Sequence, residues 1–341
     1  MPEPIEPSEP FSESAGETDH RPRRSPLRTL MGIPSLVAGV SILGFFAVVG
    51  ALSPWLYPGD PTTLSTHVGA GYSCPAIASP TLTFFPFHTG PYPLGQTGGL
   101  GFNVLEGLVK GTPWDLLLLL EVAVPALVMG LLLGSYAGFR GGLIDDVLMA
   151  VTDAFLAVPE IVVVLLASLF VLGYLDPSYR LWVFGLLFLL VAWAPYARSV
   201  RAQARIVSTQ PYVESSRASG GTDRWVLFRH ILPNSLYPVF AQIPTTLAGV
   251  LAILGGLQYA YVISNPNLCV GTGPPPLPLL NAPNFPEWTW TLANGASAWT
   301  FGTANNPWWG TVYPALWILL FGLGVILTCD GLGRLTSSRS A

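Results

Sequence analysis

Six stretches of the chain, about 34–53, 115–138, 146–173, 182–198, 236–262 and 309–329, are each apolar over close to the ~20 residues that an α-helix needs to cross the hydrocarbon core of a bilayer. Half of the 341 residues are hydrophobic (51%) and 10% are charged. Ordinary soluble domains carry roughly a quarter charged residues. A single water-soluble core cannot hide that much apolar surface, whereas a bilayer can. Lipid offers no partner to an unpaired backbone N–H or C=O, so runs of this length cross it as helices that satisfy their own hydrogen bonds. The expected fold class is an all-α integral membrane protein with six spans. Pro125, Pro159 and Pro244 lie inside or near the ends of spans and are expected to kink them; Trp193-Ala194-Pro195 is expected to break the fourth span near its end.

The basic residues orient the chain. With the N-terminus in the cytoplasm, the cytoplasmic segments hold Arg21, Arg23, Arg24, Arg28, Arg140, Arg198, Arg201, Arg205, Arg217, Arg224, Arg229, Arg334 and Arg339, and the external segments hold only Lys110 and Arg180. The net charge of −4 conceals this asymmetry, because six of the nineteen acids lie in the first nineteen residues. Residues 1–30 read as a disordered tail, acidic first and then basic. Residues 31–114 read as the first span and an external loop, 115–335 as the transmembrane domain, and 336–341 as a closing tail. The run 34–53 is longer than the about 7–15 residues of a secretory signal core and has no obvious small-residue cleavage site after it, so it is expected to be an uncleaved helix.

The external segments 54–114 and 264–308 are rich in Pro, Gly, Thr, Asn and Trp. Trp288, Trp290, Trp299, Trp308 and Trp309 read as anchors at the membrane–water boundary, or as a docking surface for an external partner. Cys74 and Cys269 fall in these loops, where a disulfide is possible, and Cys329 ends an apolar run. There is no CxxC or Cys/His cluster, and no pair among His20, His67, His88 and His230 has ligand spacing, so no metal site is expected.

The connector at about 198–235, between the fourth and fifth spans, is long for a compact bundle, which suggests function. Ser208-Thr209-Gln210-Pro211 marks a turn and residues 212–219 are compatible with a helix. Gly220-Gly221 breaks it, Thr222-Asp223 caps a second helix over 223–231, and Pro233 is expected to end that helix.

Within this connector Glu214-Ser215-Ser216 is followed after three residues by Gly220, and nine residues later by His230-Ile231-Leu232-Pro233. The pattern resembles the "EAA" motif of ATP-binding-cassette (ABC) importer permeases, with Ser-Ser where the family has Ala-Ala. The string from Phe228 to Asn234 is similar to the C-type permease subunits of the dipeptide/oligopeptide/nickel importers. The resemblance extends over about 93–341. Pro93-Leu94-Gly95 with Leu100 to Leu105 is similar to the family's PLGTDxLGRDVLSR segment, with Phe102-Asn103 in place of Arg-Asp. Tyr136 to Gly142 with Asp145, then Asp153 and Pro159, and Asp330 to Arg334 match further family positions.

The resemblance implies a six-helix type I ABC importer permease (MetI-like) bundle with two extended external loops, in the plasma membrane, with both termini cytoplasmic. It implies that Glu214, Ser215, Ser216, Arg217, Gly220, Leu232 and Pro233 form a coupling helix and its flank, docked on an ATPase subunit. It also implies a second homologous permease subunit, two ABC ATPase subunits that hold ATP and magnesium, and an external substrate-binding protein. Di- or oligopeptides are the implied cargo, with nickel or another small solute as variants. Apart from the lipid bilayer no other partner is expected, and no nucleic acid.

Charges inside spans are costly, so Glu121, Asp153 and Glu160 each need a reason. Glu160, after Pro159, is the best candidate for a translocation pathway and Asp153 the second. A protonated or helix-paired acid is the plainer reading of Glu160. The chain has no Walker A motif, since Lys110-Gly111-Thr112 lacks the glycine spacing. It has no catalytic constellation and is expected to bind no cofactor. The competing readings are a secondary transporter, which would need paired broken helices and repeat symmetry, and a membrane enzyme.

Overall fold

The computed structural model describes residues 33–58, 83–84, 87–88, 92–97, 103–171, 175–264, 287–301 and 308–337. The N-terminal tail, Cys74, Cys269 and most of both long loops lie outside them. The described elements are α1 (Pro34–Leu56), a two-residue hairpin of β1 (Thr83–Phe84) and β2 (Phe87–His88), α2 (Val104–Arg140), α3 (Gly142–Ala157), α4 (Glu160–Val171), α5 (Pro177–Ser208), α6 (Pro211–Ala218), α7 (Asp223–Val226), a π-helical turn at Leu227–Ile231, α8 (Leu232–Asn234), α9 (Tyr237–Ser264), α10 (Trp288–Phe301) and α11 (Trp309–Ser337). Five helices, α1, α2, α5, α9 and α11, are long and apolar enough to cross a membrane.

The third expected span, 146–173, is two helices over its described residues, 146–171. Proline clashes with the residue before it in the α conformation, and Val158 is extended (φ −96°, ψ 127°), so the chain restarts at Glu160. Pro195 acts in the opposite way to expectation, because α5 runs unbroken through it. A proline costs about 3 kcal/mol in an isolated helix, but here α5 lies in close contact with α2. Gly130, Gly134 and Gly138, spaced by four, form one stripe of α2. A Cβ at Gly138 would come within 2.6 Å of the Arg201 carbonyl, and one at Gly130 or Gly134 would collide with Tyr196 or Ala197. The missing side chains let two backbones meet along three turns, and this close contact supports α5 as a continuous helix through its proline.

The second long loop also differs from expectation, because it contains α10. Trp288 and Trp290 are fully buried rather than placed at an interface, and Trp309 is buried while Trp308 is half exposed. Trp288 sits edge-on between Phe46 of α1 (5.4 Å) and Phe321 of α11 (5.2 Å), and donates its indole N–H to the Leu108 carbonyl and the Thr112 hydroxyl of α2. The backbone N–H of Trp288, which has no partner within α10, donates to Asp115 of α2 at 2.8 Å. An acid on a neighbouring helix therefore does the work of an N-cap. On α2 itself Asn103 caps the helix through Leu105 and Glu106 N–H, which starts it eleven residues before the apolar run at 115.

Candidate functional site

The connector is shorter than expected, and its two expected helices are present. Because α5 continues to Ser208, it spans about 209–236, and most of it is helical. Pro211 opens α6, where a missing N–H costs nothing. Gly220 then adopts φ +88°, with no other atom within 4 Å of where a Cβ would stand. The glycine is required by the left-handed backbone, not by crowding within the chain. Gly221 has the other role: a Cβ there would lie 2.8 Å from the Ser216 carbonyl, which accepts the Gly221 N–H. The Thr222 hydroxyl accepts the Trp225 N–H and caps α7. Pro233 does not end the helix. The backbone widens into the π turn over Leu227–Ile231 and continues through Pro233 to Asn234. A proline has no N–H to return to the carbonyl four residues back, and a widened turn ahead of it is one way to absorb that loss.

The connector has its own apolar core. Val213, Val226 and Ile231 are fully buried against Phe139, Ala204 and Val207 at the ends of α2 and α5. Arg217 lies over the Phe139 ring at 4.9 Å, a cation–π contact. Arg140 of α2 bridges to Asp223 of α7 at 2.9 Å. Asp145, on the first turn of α3 and fully buried, accepts from both Arg201 and Arg205 of α5, and Asp153 pairs with Arg198. Hydrogen bonding from Arg201, with the charge of both arginines, holds the Asp145 carboxyl below its usual 3.8. Asp145 and Asp153 are two turns apart on α3, and Arg198, Arg201 and Arg205 line one face of α5, so the bridges form a ladder.

Glu214, Ser215 and Arg217 are exposed on α6, Ser216 and Leu232 are half buried, and Pro233 is exposed. A concavity of about 610 Å³ opens between α6 and α7, walled by Tyr212, Ser216, Gly221, Trp225 and His230. His230 packs against Trp225 (5.0 Å) and Tyr212 (5.8 Å), and its Nε2 and the Ser216 hydroxyl are shielded without a hydrogen-bond partner. Phe228 and Trp225 are more than half exposed beside it. The geometry is a rigid ledge presenting an acidic helix start, small residues and an aromatic-walled hollow.

The sequence motif marks the residues on the surface of this ledge and not those beneath it. Asp145 was noted only as a matching position. Its role was signalled by two arginines four apart on one helix, which point the same way. Val213, Val226 and Ile231 carried no signal, because which of three adjacent helices they meet depends on the fold. Of the two pathway candidates, Asp153 is tied to Arg198. Glu160 is half buried on the first turn of α4 and faces α9, where a Cβ at Gly249 would lie 3.7 Å from its Oε2. Glu121 nests against Gly185 of α5, its Oε2 buried with no hydrogen-bond partner. Among the described residues no group of three or more His, Cys, Asp or Glu could hold a metal ion. The one cysteine described, Cys329, is a buried free thiol.

Residues 130–332, more than half of the chain and including the whole connector, match the family described as binding-protein-dependent transport system inner membrane component. The chain is 30% identical over 236 residues to a di/tripeptide transport system permease of Pseudomonas aeruginosa, covering 69% of each protein. It is 26% identical over 294 residues to a dipeptide transport system permease of Haemophilus influenzae (86% of this chain, 87% of the other). It is also 26% identical over 236 residues to an oligopeptide transport system permease of Bacillus subtilis (69% and 68%). A multi-pass helical bundle with an ordered connector inside the matched region fits that description, and the chain belongs to the family of binding-protein-dependent transport system inner membrane components, the membrane permeases of ABC transporters.

Proposed function

We propose that this chain is one of two homologous permease subunits of an ATP-driven importer for di- or oligopeptides. Its termini face the cytoplasm and its connector receives the stroke of an ATPase subunit. The orientation rests on the basic residues, thirteen of fifteen of which fall in the segments that alternate to the cytoplasmic side in the sequence. The observation that carries the coupling role is the ledge itself. α6, Gly220 and α7 are exposed to a partner while Val213, Val226 and Ile231 lock them to α2 and α5. A push on α6 therefore moves the ends of two spanning helices together. In this role Glu214, Ser215, Ser216, Arg217 and Gly220 meet the ATPase, and Leu232 and Pro233 join the ledge to α9.

The peptide class rests on the relatives, each named as a permease for peptides, dipeptides or oligopeptides. Glu160, at the break between α3 and α4, is proposed as a polar step of the pathway. Asp153, held by Arg198, lies nearer its cytoplasmic mouth. ATP and magnesium belong to the ATPase subunits, and an external binding protein delivers the cargo. Reconstitution of the assembled complex tests this reading. Uptake of a labelled oligopeptide should require ATP and co-isolated ATPase subunits. Uptake driven by an ion gradient alone would refute it.

A further inference from the structure

Two carboxyl groups at the arginine-poor end of the bundle are buried with no counter-cation among the described residues. Asp115 of α2 accepts the Trp288 N–H through Oδ2, and its Oδ1 is shielded from solvent with no hydrogen-bond partner. Glu287, the residue before α10 and 1% exposed, receives only long bonds, from Gln258 Nε2 at 3.5 Å and the Thr289 hydroxyl at 3.4 Å. The Gln258 Oε1 is also buried and unpartnered.

Among the described residues the neighbouring elements supply no positive charge to this pair. On α2 the preceding turns carry Glu106 and Lys110, bonded to each other at 2.9 Å. α1 brings Phe46 and, just past its end, Tyr57; α9 brings Gln258 with Tyr259 beside it; α11 brings Phe321 and Tyr313. Arg180, the other basic residue assigned to this half, donates to the Leu175 carbonyl. The start of α10 offers the partial positive charge of a helix N-terminus, ~0.5 of a unit, and Asp115 already sits on it. One negative charge is partly compensated there and a second is not.

We propose that Asp115 and Glu287 share a single exchangeable proton, and that this proton latches α10 to the bundle. When it leaves, two uncompensated carboxylates remain buried at the start of α10, and α10 loosens from α2 and α9. Burial pushes Glu287 up to about 8, whereas free glutamate titrates near 4.5. The latch is at full strength below the free value, weakens as pH rises above it, and is lost as pH passes the raised value. A single linked proton changes the opening equilibrium by at most about tenfold per pH unit.

The test is hydrogen–deuterium exchange of the α10 peptide in the full protein in lipid nanodiscs. It is run from about pH 5 to about pH 9 at fixed ionic strength and normalised to intrinsic exchange. The expected result is protection of α10 that falls with rising pH, by up to about tenfold per unit, while the α6 peptide shows no such slope. Glu287→Gln should flatten the profile, and Asp115→Asn, which removes the second negative charge, should move its fall to lower pH. A flat profile in the unaltered protein would overturn the proposal. So would a slope that survives Glu287→Gln, or protection that follows sodium concentration at fixed pH, which would make the occupant a metal cation.

Discussion

The two ends of this bundle hold their acids in opposite ways. At the arginine-rich end Asp145, Asp153 and Asp223 each have an arginine, and the bridges reach water on at least one side. At the other end Asp115 and Glu287 are sealed among Trp288, Gln258 and Thr289 with no cation among the described residues. The first arrangement suits a surface that must stay rigid while a partner pushes on it, because exposed ion pairs tolerate local movement at little cost. The second suits a joint whose strength depends on its protonation. The same residue type braces one end and makes the other sensitive to conditions.

The largest expected effect of breaking this contrast is at the sealed end. Trp288→Ala removes two ring contacts, two indole hydrogen bonds and the packing that covers Asp115. It should cost about 3–5 kcal/mol, read as loss of a cooperative thermal transition or as α10 exchanging freely. Asp145→Asn comes next, because it leaves Arg201 and Arg205 facing a neutral group. The expected cost is about 1–3 kcal/mol, below the figure for a fully buried pair because both arginines reach solvent. Since the Asp145 carboxyl is held below its ordinary value, its contribution is present above pH 3.8 and lost as pH falls below it. The variant should therefore lose less stability than the unaltered protein when the buffer is taken from neutral to below pH 3.8. Gly220→Ala should cost about 1–2 kcal/mol through its left-handed backbone, confined to exchange in α6 and α7. Arg140→Ala, which breaks a bridge exposed on both sides, should cost about 1 kcal/mol or less. An Arg140 effect as large as that of Asp145 would mean that the arginine-rich end is sealed like the other.

Much of this architecture was legible in the residues, and the exceptions share a cause. Spans 34–53, 236–262 and 309–329 were visible because length and apolarity suffice to specify a membrane helix. The connector's Gly220 and Thr222 were visible because turn and cap chemistry is local. Pro195 was misread because its cost is local while its compensation, the Gly130–Gly134–Gly138 stripe, lies on another helix. α10 was hidden because it has no clear amphipathic period and lies in a segment rich in Trp, Pro and Gly, and because its cap, Asp115, is far away in sequence. Buried partners such as Val213 and Ile231 cannot be told from other apolar residues until the helices they touch are placed.

The account's central claim is that the ledge at α6–Gly220–α7 passes the ATPase stroke to the spanning helices. The most direct measurement is ATP-driven peptide uptake, alongside ATPase co-purification, for Gly220→Trp in the reconstituted complex. A bulky side chain there meets open space within this chain, so beyond the backbone strain of about 1–2 kcal/mol that Gly220→Ala shares, the bundle should fold as before, and Gly220→Ala is the control for that strain. Uptake should fall by about tenfold or more, a barrier change of roughly 1.4 kcal/mol or above, with ATPase binding weakened or its hydrolysis uncoupled. Uptake and ATPase association both unchanged in Gly220→Trp would contradict the claim.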